Sequence, residues 1–204
     1  MHGSLSRVVA TLSALVFFTL PLSAQEKTDY EEEDKPRTAE MASVMESWEK
    51  AGTPGEMHRA LARTAGEWTA EVKMWMGPEP TVSEARSTVE PIMDGRFVKE
   101  TVKSEFMGKP FHGVSIVGFN NATGEVEAIW YDDHSTGIFV YRGSMNEDGT
   151  ELKLKGKYKD PASGEWIETR SVRKITGDEM RDIAWETRDG EEVKTMEITY
   201  RRQG

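Results

Sequence analysis

The chain has 204 residues, 37% of them hydrophobic, which suits one domain with additional segments, since single domains most often run about 100 to 200 residues. It has no cysteine, so a disulfide framework, a thiolate zinc site, a thiol nucleophile and a lipid-modified cysteine anchor are excluded. The net charge of −10 comes from 36 acids and 26 bases without a basic cluster of the kind that neutralises phosphates, which argues against nucleic acid as a partner.

Residues 1–24 read as a secretory signal. Arg7 gives a positive start, Val8 to Leu20 an apolar core, and Leu22-Ser23-Ala24 ends in the small residue a signal peptidase requires. That core, interrupted by Thr11 and Ser13 and followed by Pro21, falls short of the roughly 20 residues of a spanning helix. The expected mature chain therefore begins at Gln25, is periplasmic or secreted, and has no stable membrane insertion after cleavage. Residues 25–38 turn to Glu, Asp, Lys and Pro, with Glu31-Glu32-Glu33-Asp34 as a like-charged block, and read as a disordered acidic leader.

Residues 39–64 carry two helical patterns. Met41, Val44, Met45 and Trp48 recur at helical spacing, so Ala39 to Lys50 is expected to be amphipathic, with Gly52-Thr53-Pro54-Gly55 ending it. A shorter helix, Glu56 to Arg63, should bury Met57, Ala60 and Leu61. The stripe reads as packing, and the helical pair is expected to cover one end of the domain that follows.

From residue 65 to residue 204 the signals are those of strands. Gly66-Glu67-Trp68 leads into an alternating segment, Thr69 to Met76. A Gly-x-Trp at the mouth of a first strand, preceded by a helical turn, resembles the start of lipocalins and their calycin relatives. Turn chemistry then recurs steadily at 77–80, 93–95, 107–110, 120–124, 134–137, 146–149, 161–164, 176–178 and 189–191, where Gly or Asn stands near Asp or Pro. Connections this short join only antiparallel neighbours, a parallel crossover needing about a dozen residues or more. The expected fold is all-β, a ten-stranded antiparallel up-and-down calycin-like barrel with a short N-terminal helical pair at one end.

Alternation assigns the faces. Trp68, Ala70, Val72 and Met74 share one face of the first strand; Val98, Val102 and Phe106 share one of the third. Val126, Ala128, Trp130 and Asp132 are set inward against Ile129 and Tyr131. Leu152 and Leu154 point inward, as do Met196, Ile198 and Tyr200, and Ile183 and Trp185 are assigned inward against Asp182 and Glu186. The result is a barrel with one apolar and one charged face.

Over Glu56 to Arg202 the sequence is similar to a bacterial family defined only as domain of unknown function 1579. The residues that carry the likeness are His58, Leu61 and Gly66-Glu67-Trp68; Met76-Gly77-Pro78; Asp94-Gly95-Arg96-Phe97; and Gly113 to Val117 with Gly118-Phe119-Asn120-Asn121 and Gly124. They continue with Trp130-Tyr131-Asp132, Gly143-Ser144-Met145, Asp148-Gly149 and Tyr200-Arg201-Arg202. The family usually has Gly-Tyr-Asp where this chain has Gly118-Phe119-Asn120, which removes a phenol and a carboxylate. The resemblance implies a calycin-type barrel and no established activity.

Among candidate sites, Asp132-Asp133-His134 is the one cluster of hard-metal or acid–base groups. Neighbouring strand residues face opposite ways, so it reads as a hairpin end with solvated carboxylates, leaving Asp132 as a candidate to hydrogen-bond a ligand. With four histidines in the whole chain, no metal site is expected. Nitrobindin-like relatives hold haem through a histidine near the chain end; the last strand here, Val193 to Arg202, has none, so no cofactor is assigned. There is no Gly-x-Ser-x-Gly elbow and no phosphate loop, and Glu168 and Glu186 read as exposed strand residues. Fatty-acid-binding relatives place an arginine and a tyrosine inside the barrel; here Tyr200 is available, with Arg142 the nearest candidate base.

The expected ligand-binding residues are Trp130, Asp132, Trp185 and Tyr200, for a small, mainly apolar molecule. Trp68 and Arg202 are expected to close the barrel, the guanidinium lying over the indole. Two other readings stay open, a hydrolase or isomerase on the same barrel and a structural or protein-binding envelope module with a filled core. The sequence leaves the oligomeric state open.

Overall fold

The computed structural model describes residues 34–204, so the expected signal segment and the leader up to residue 33 lie outside the described residues. The chain divides into two compact units, Met1–Met41 and Ala42–Gly204. Of the first, the described part is the beginning of helix α1 (Asp34–Gly52), which runs on into the second. The helix thus starts within the stretch expected to be leader.

In the second unit, α1 is followed by α2 (Glu56–Ala62) and by ten strands: β1 (Gly66–Trp75), β2 (Pro80–Ile92), β3 (Phe97–Phe106), β4 (Lys109–Asn120), β5 (Glu125–Asp132), β6 (Phe139–Met145), β7 (Glu151–Lys159), β8 (Trp166–Thr176), β9 (Glu179–Arg188) and β10 (Glu191–Arg202). Each pairs antiparallel with the next, and β10 pairs with β1, closing a ten-stranded barrel. Closure satisfies the backbone donors and acceptors that an open edge would leave unpaired. The turns stand where the sequence places them.

One end of the barrel is shut. Trp68, 1% exposed, fills it, with Nε1 donating to the Thr64 carbonyl at 3.0 Å. The Arg202 guanidinium carbon lies 4.2 Å from the centre of the indole ring, on the side parity predicts. Its Nε donates to Asp178 Oδ1 at 3.0 Å and its Nη2 to the Arg63 carbonyl at 3.0 Å. Gly66 (φ +144) permits this approach, because a Cβ there would stand 2.5 Å from Arg202 Nη1. Helix α2 covers the same end, burying His58, Ala60 and Leu61, while Met57 is only half-buried. The Gly55 N–H donates to His58 Nδ1 at 2.9 Å, and the imidazole meets Phe119 edge-on.

Helix α1 departs from expectation. Met45 is 64% exposed and Trp48 73% exposed, and Val44 is exposed too, so within the second unit the apolar stripe does not cover the barrel; Met41, in the first unit, is exposed as well. The ties to the barrel lie at the C-terminal end of the helix: Asn121 Nδ2 donates to the carbonyls of Ala51 and Thr53, and Arg96 Nε to that of Gly52. These contacts fix the end of α1 without laying its side against the sheet.

The faces of β1, β3, β5, β7 and β10 agree with the alternation in the sequence; β9 is inverted. Met180, Asp182, Ala184 and Glu186 point inward, and Ile183 and Trp185 face outward. The pairing explains this: Met180 stands opposite Tyr200, Asp182 opposite Ile198 and also opposite Arg173 on β8, so an inward Tyr200 and Arg173 bring Met180 and Asp182 with them. Outside, the Arg170 guanidinium covers Trp185 at 3.8 Å and is itself gripped by both Glu192 oxygens. The expectation of one apolar and one charged face is thereby corrected, because the inner wall carries Glu100, Arg173, Asp182 and Glu186 among its apolar residues.

Candidate functional site

Above the plug formed by Trp68, the barrel interior is hollow, with a cavity of about 1110 Å³. The emptiness follows from strand number and side-chain choice: ten strands enclose more room than eight, and many inward positions are small, including Ala70, Ala85, Ala128, Ser115, Ser171 and Ala184. The walls are mostly apolar. At the end opposite α2 they include Trp75, Phe106, Phe111, Phe139 and Val193, beside the turns of that end.

A buried polar cluster forms the floor. Arg173 on β8 donates from Nε to Asp182 Oδ1 at 2.7 Å and from Nη2 to Asp182 Oδ2 at 2.7 Å. Nη2 also reaches Glu100 Oε2 at 3.1 Å. Glu100, 5% exposed, accepts from Ser87 Oγ at 2.7 Å through its other oxygen. Buried charges persist only when paired in this way. Burial opposes the charge on Arg173, but the fields of Asp182 and Glu100 outweigh it and hold the guanidinium well above its ordinary range. Burial raises the Asp182 carboxyl above its ordinary value against the pull of Arg173. Burial, with the charges of Glu100 and Asp182, pushes the Tyr200 phenol well above its ordinary value.

A second cluster lies toward the other end. Tyr158 donates its hydroxyl to Glu186 Oε1 at 3.0 Å, and Arg188 donates to Glu186 Oε2 at 2.9 Å and to the Tyr158 oxygen at 3.2 Å. Burial, then the hydrogen bond and charge of Glu186, push Tyr158 up to about 12. Tyr141 is likewise pushed up to about 12, by burial first and then by the charges of Glu186 and Asp132. Glu186, expected on an exposed face, belongs to this inner set.

Of the expected ligand residues, Trp130, Asp132 and Tyr200 line the cavity and Trp185 lies on the outer face. Asp132 is occupied: Oδ2 accepts from Trp130 Nε1 at 2.8 Å and Oδ1 from the His134 N–H at 3.0 Å, so it orients the indole and ties off the hairpin. Trp130 stacks beside Phe111 and lies over Gly113, where a Cβ would collide with the ring. Arg142 points outward beside Glu127; the arginine beside Tyr200 is Arg173, its guanidinium 5.3 Å from the ring centre. Glu100 shares the parity of Val98 and Val102 and was legible as inward, whereas Arg173 and Asp182 escape sequence reasoning because β8 and β9 carry charged residues on both faces. The available signal was Arg173 and Asp182 as opposite charges on consecutive strands, equidistant from the turn at 177–178. Among the described residues, no group of three or more His, Asp or Glu side chains could hold a metal ion, and no helix is long and apolar enough to cross a membrane.

Fold and cavity together define a closed ten-stranded antiparallel barrel with a chamber lined by its own inner face. The chain belongs to a family of proteins of unknown function, DUF1579, whose model matches residues 53–202. The crystal structure of Rv2717c from M. tuberculosis is similar over 74% of this chain and 100% of that chain, at 15% identity and a TM-score of 0.57, a likeness of fold. A protein of unknown function from the DUF3598 family of Nostoc punctiforme aligns over 74% of this chain and 100% of its own at 7% identity, but its TM-score of 0.21 is too low to support a shared architecture. No curated protein matches the chain.

Proposed function

We propose that this is an exported binding protein whose barrel takes up a small, mainly apolar molecule. The supporting observation is the cavity: about 1110 Å³ is slightly above the roughly 300–1,000 Å³ typical of small-molecule sites, and apolar walls with a few convergent polar groups are what such sites use. A structural module with a filled core has no need of that space. Export rests on the composition of residues 1–24, and the corresponding location is the periplasm or the exterior.

The test is titration with Nile red, a neutral apolar dye, in native protein and in Ala128→Trp, which places a large ring in the chamber. Native protein should enhance dye emission saturably, with Trp130 emission falling in parallel, and the variant, its chamber narrowed, should bind the dye more weakly at unchanged fold. Equal response in both proteins would mean that the dye binds outside the barrel. Intact mass of the exported protein checks the accompanying expectation that it begins at Gln25.

A further inference from the structure

The polar floor of the cavity bears on which apolar molecules fit. An arginine and a tyrosine side by side at the base of a hollow barrel would suit a carboxylate, but here the guanidinium already has two. Asp182 takes Nε and Nη2 of Arg173, and Glu100 takes Nη2 again. Three charged groups therefore sum to one negative charge when both acids are ionised, and to none when one is protonated. In neither state is the floor positive. A carboxylate brought to it would lose its hydration, meet no net attraction and stand near Glu100 and Asp182, a like-charge arrangement that disfavours binding.

One donor remains. Among the described residues no protein acceptor meets Arg173 Nη1, and since no buried side-chain nitrogen or oxygen lacks a partner, that nitrogen is reachable from the cavity its residue lines. An uncharged oxygen, such as a carbonyl, ester or hydroxyl, can accept from Nη1 without adding charge. Resting on the proposed ligand-binding role, we infer that the chamber selects neutral oxygen-bearing apolar molecules, whose oxygen meets Arg173 Nη1, over fatty-acid-like carboxylates of the same chain length.

Displacement of bound Nile red at neutral pH by dodecanol, methyl dodecanoate and dodecanoate tests this without any variant. Dodecanol and the methyl ester should compete, and dodecanoate should be weaker by about tenfold or more. Glu100→Gln keeps the shape of the floor and removes one negative charge, so in that variant the gap should narrow by about tenfold through tighter dodecanoate binding, with dodecanol little changed. Dodecanoate equal to or tighter than dodecanol in native protein would overturn the inference while leaving the ligand-binding role intact. Failure of the native protein to bind Nile red at all would overturn both. A Glu100→Gln protein that is folded by circular dichroism yet shows an undiminished preference would also overturn the inference, because the preference would then not arise from the floor.

Discussion

Trp68 and Arg202 are the residues for which sequence and structure meet most directly. Parity along β10 puts Arg202 on the side of Met196, Ile198 and Tyr200, and register sets it opposite Trp68. What parity could not supply is the guanidinium's second task, holding Asp178 and the Arg63 carbonyl. Arg202→Ala therefore removes a cation–π contact together with charge-assisted hydrogen bonds at a barrel end, and should cost about 2 to 4 kcal/mol. Trp68→Phe keeps a ring but gives up the hydrogen bond to Thr64. In urea unfolding of both single variants and the double variant, a coupling of roughly 0.5 to 2 kcal/mol is expected; additive losses would show that the stacked geometry contributes nothing. Arg173 was far less legible, because the three bases of the run Arg170-Ser171-Val172-Arg173-Lys174 give no local hint of which one turns inward.

At the scale of elements, turns were legible throughout, whereas faces were legible only where apolar residues kept to one side. Strand β9 offers two candidate sets, Ile183 with Trp185 or Met180 with Ala184. Local hydrophobicity favours the first; pairing with Arg173 and Tyr200 selects the second. The cost of an outward indole is offset by Arg170 lying over it. The two tryptophans should accordingly separate in experiment. Trp130→Phe should reduce the emission change on Nile red binding to what Trp75 contributes, while Trp185→Phe should leave it intact and shift stability by about 1 kcal/mol or less, as expected for a stacked surface pair. A binding response that vanishes with Trp185 instead would return that residue to the interior. Helix α1 shows the same limit from the other side: its apolar stripe has the spacing of a packed face, but periodicity identifies a face without saying what covers it, and the C-terminal ties to Asn121 and Arg96 leave Val44, Met45 and Trp48 exposed.

For the whole molecule, the hollow core makes stability depend on phenols that face the chamber or border it. Tyr141 and Tyr158 are both pushed up to about 12 from an ordinary 10.0, and Tyr200 is raised well above its ordinary value by burial beside Glu100 and Asp182. In each case the folded state holds the proton more tightly than the unfolded chain does. Stability from Tyr141 and Tyr158 is therefore complete below pH about 10, where both states are protonated, and is lost as pH rises through about 12, because the unfolded chain releases protons first. Tyr141 alone accounts for roughly 2 kcal/mol over that window. Tyr158, closer to water, contributes less, since solvent screens its partner Glu186. Urea unfolding across this range, followed together with tyrosinate absorbance, should show the midpoint falling with pH. Tyr141→Phe should flatten the fall by about that 2 kcal/mol, because its ring stays in place while its proton no longer enters the balance. An unchanged pH dependence in this variant would mean that Tyr141 titrates as it does in water, and that its wall of the chamber is wet enough to accept a charge.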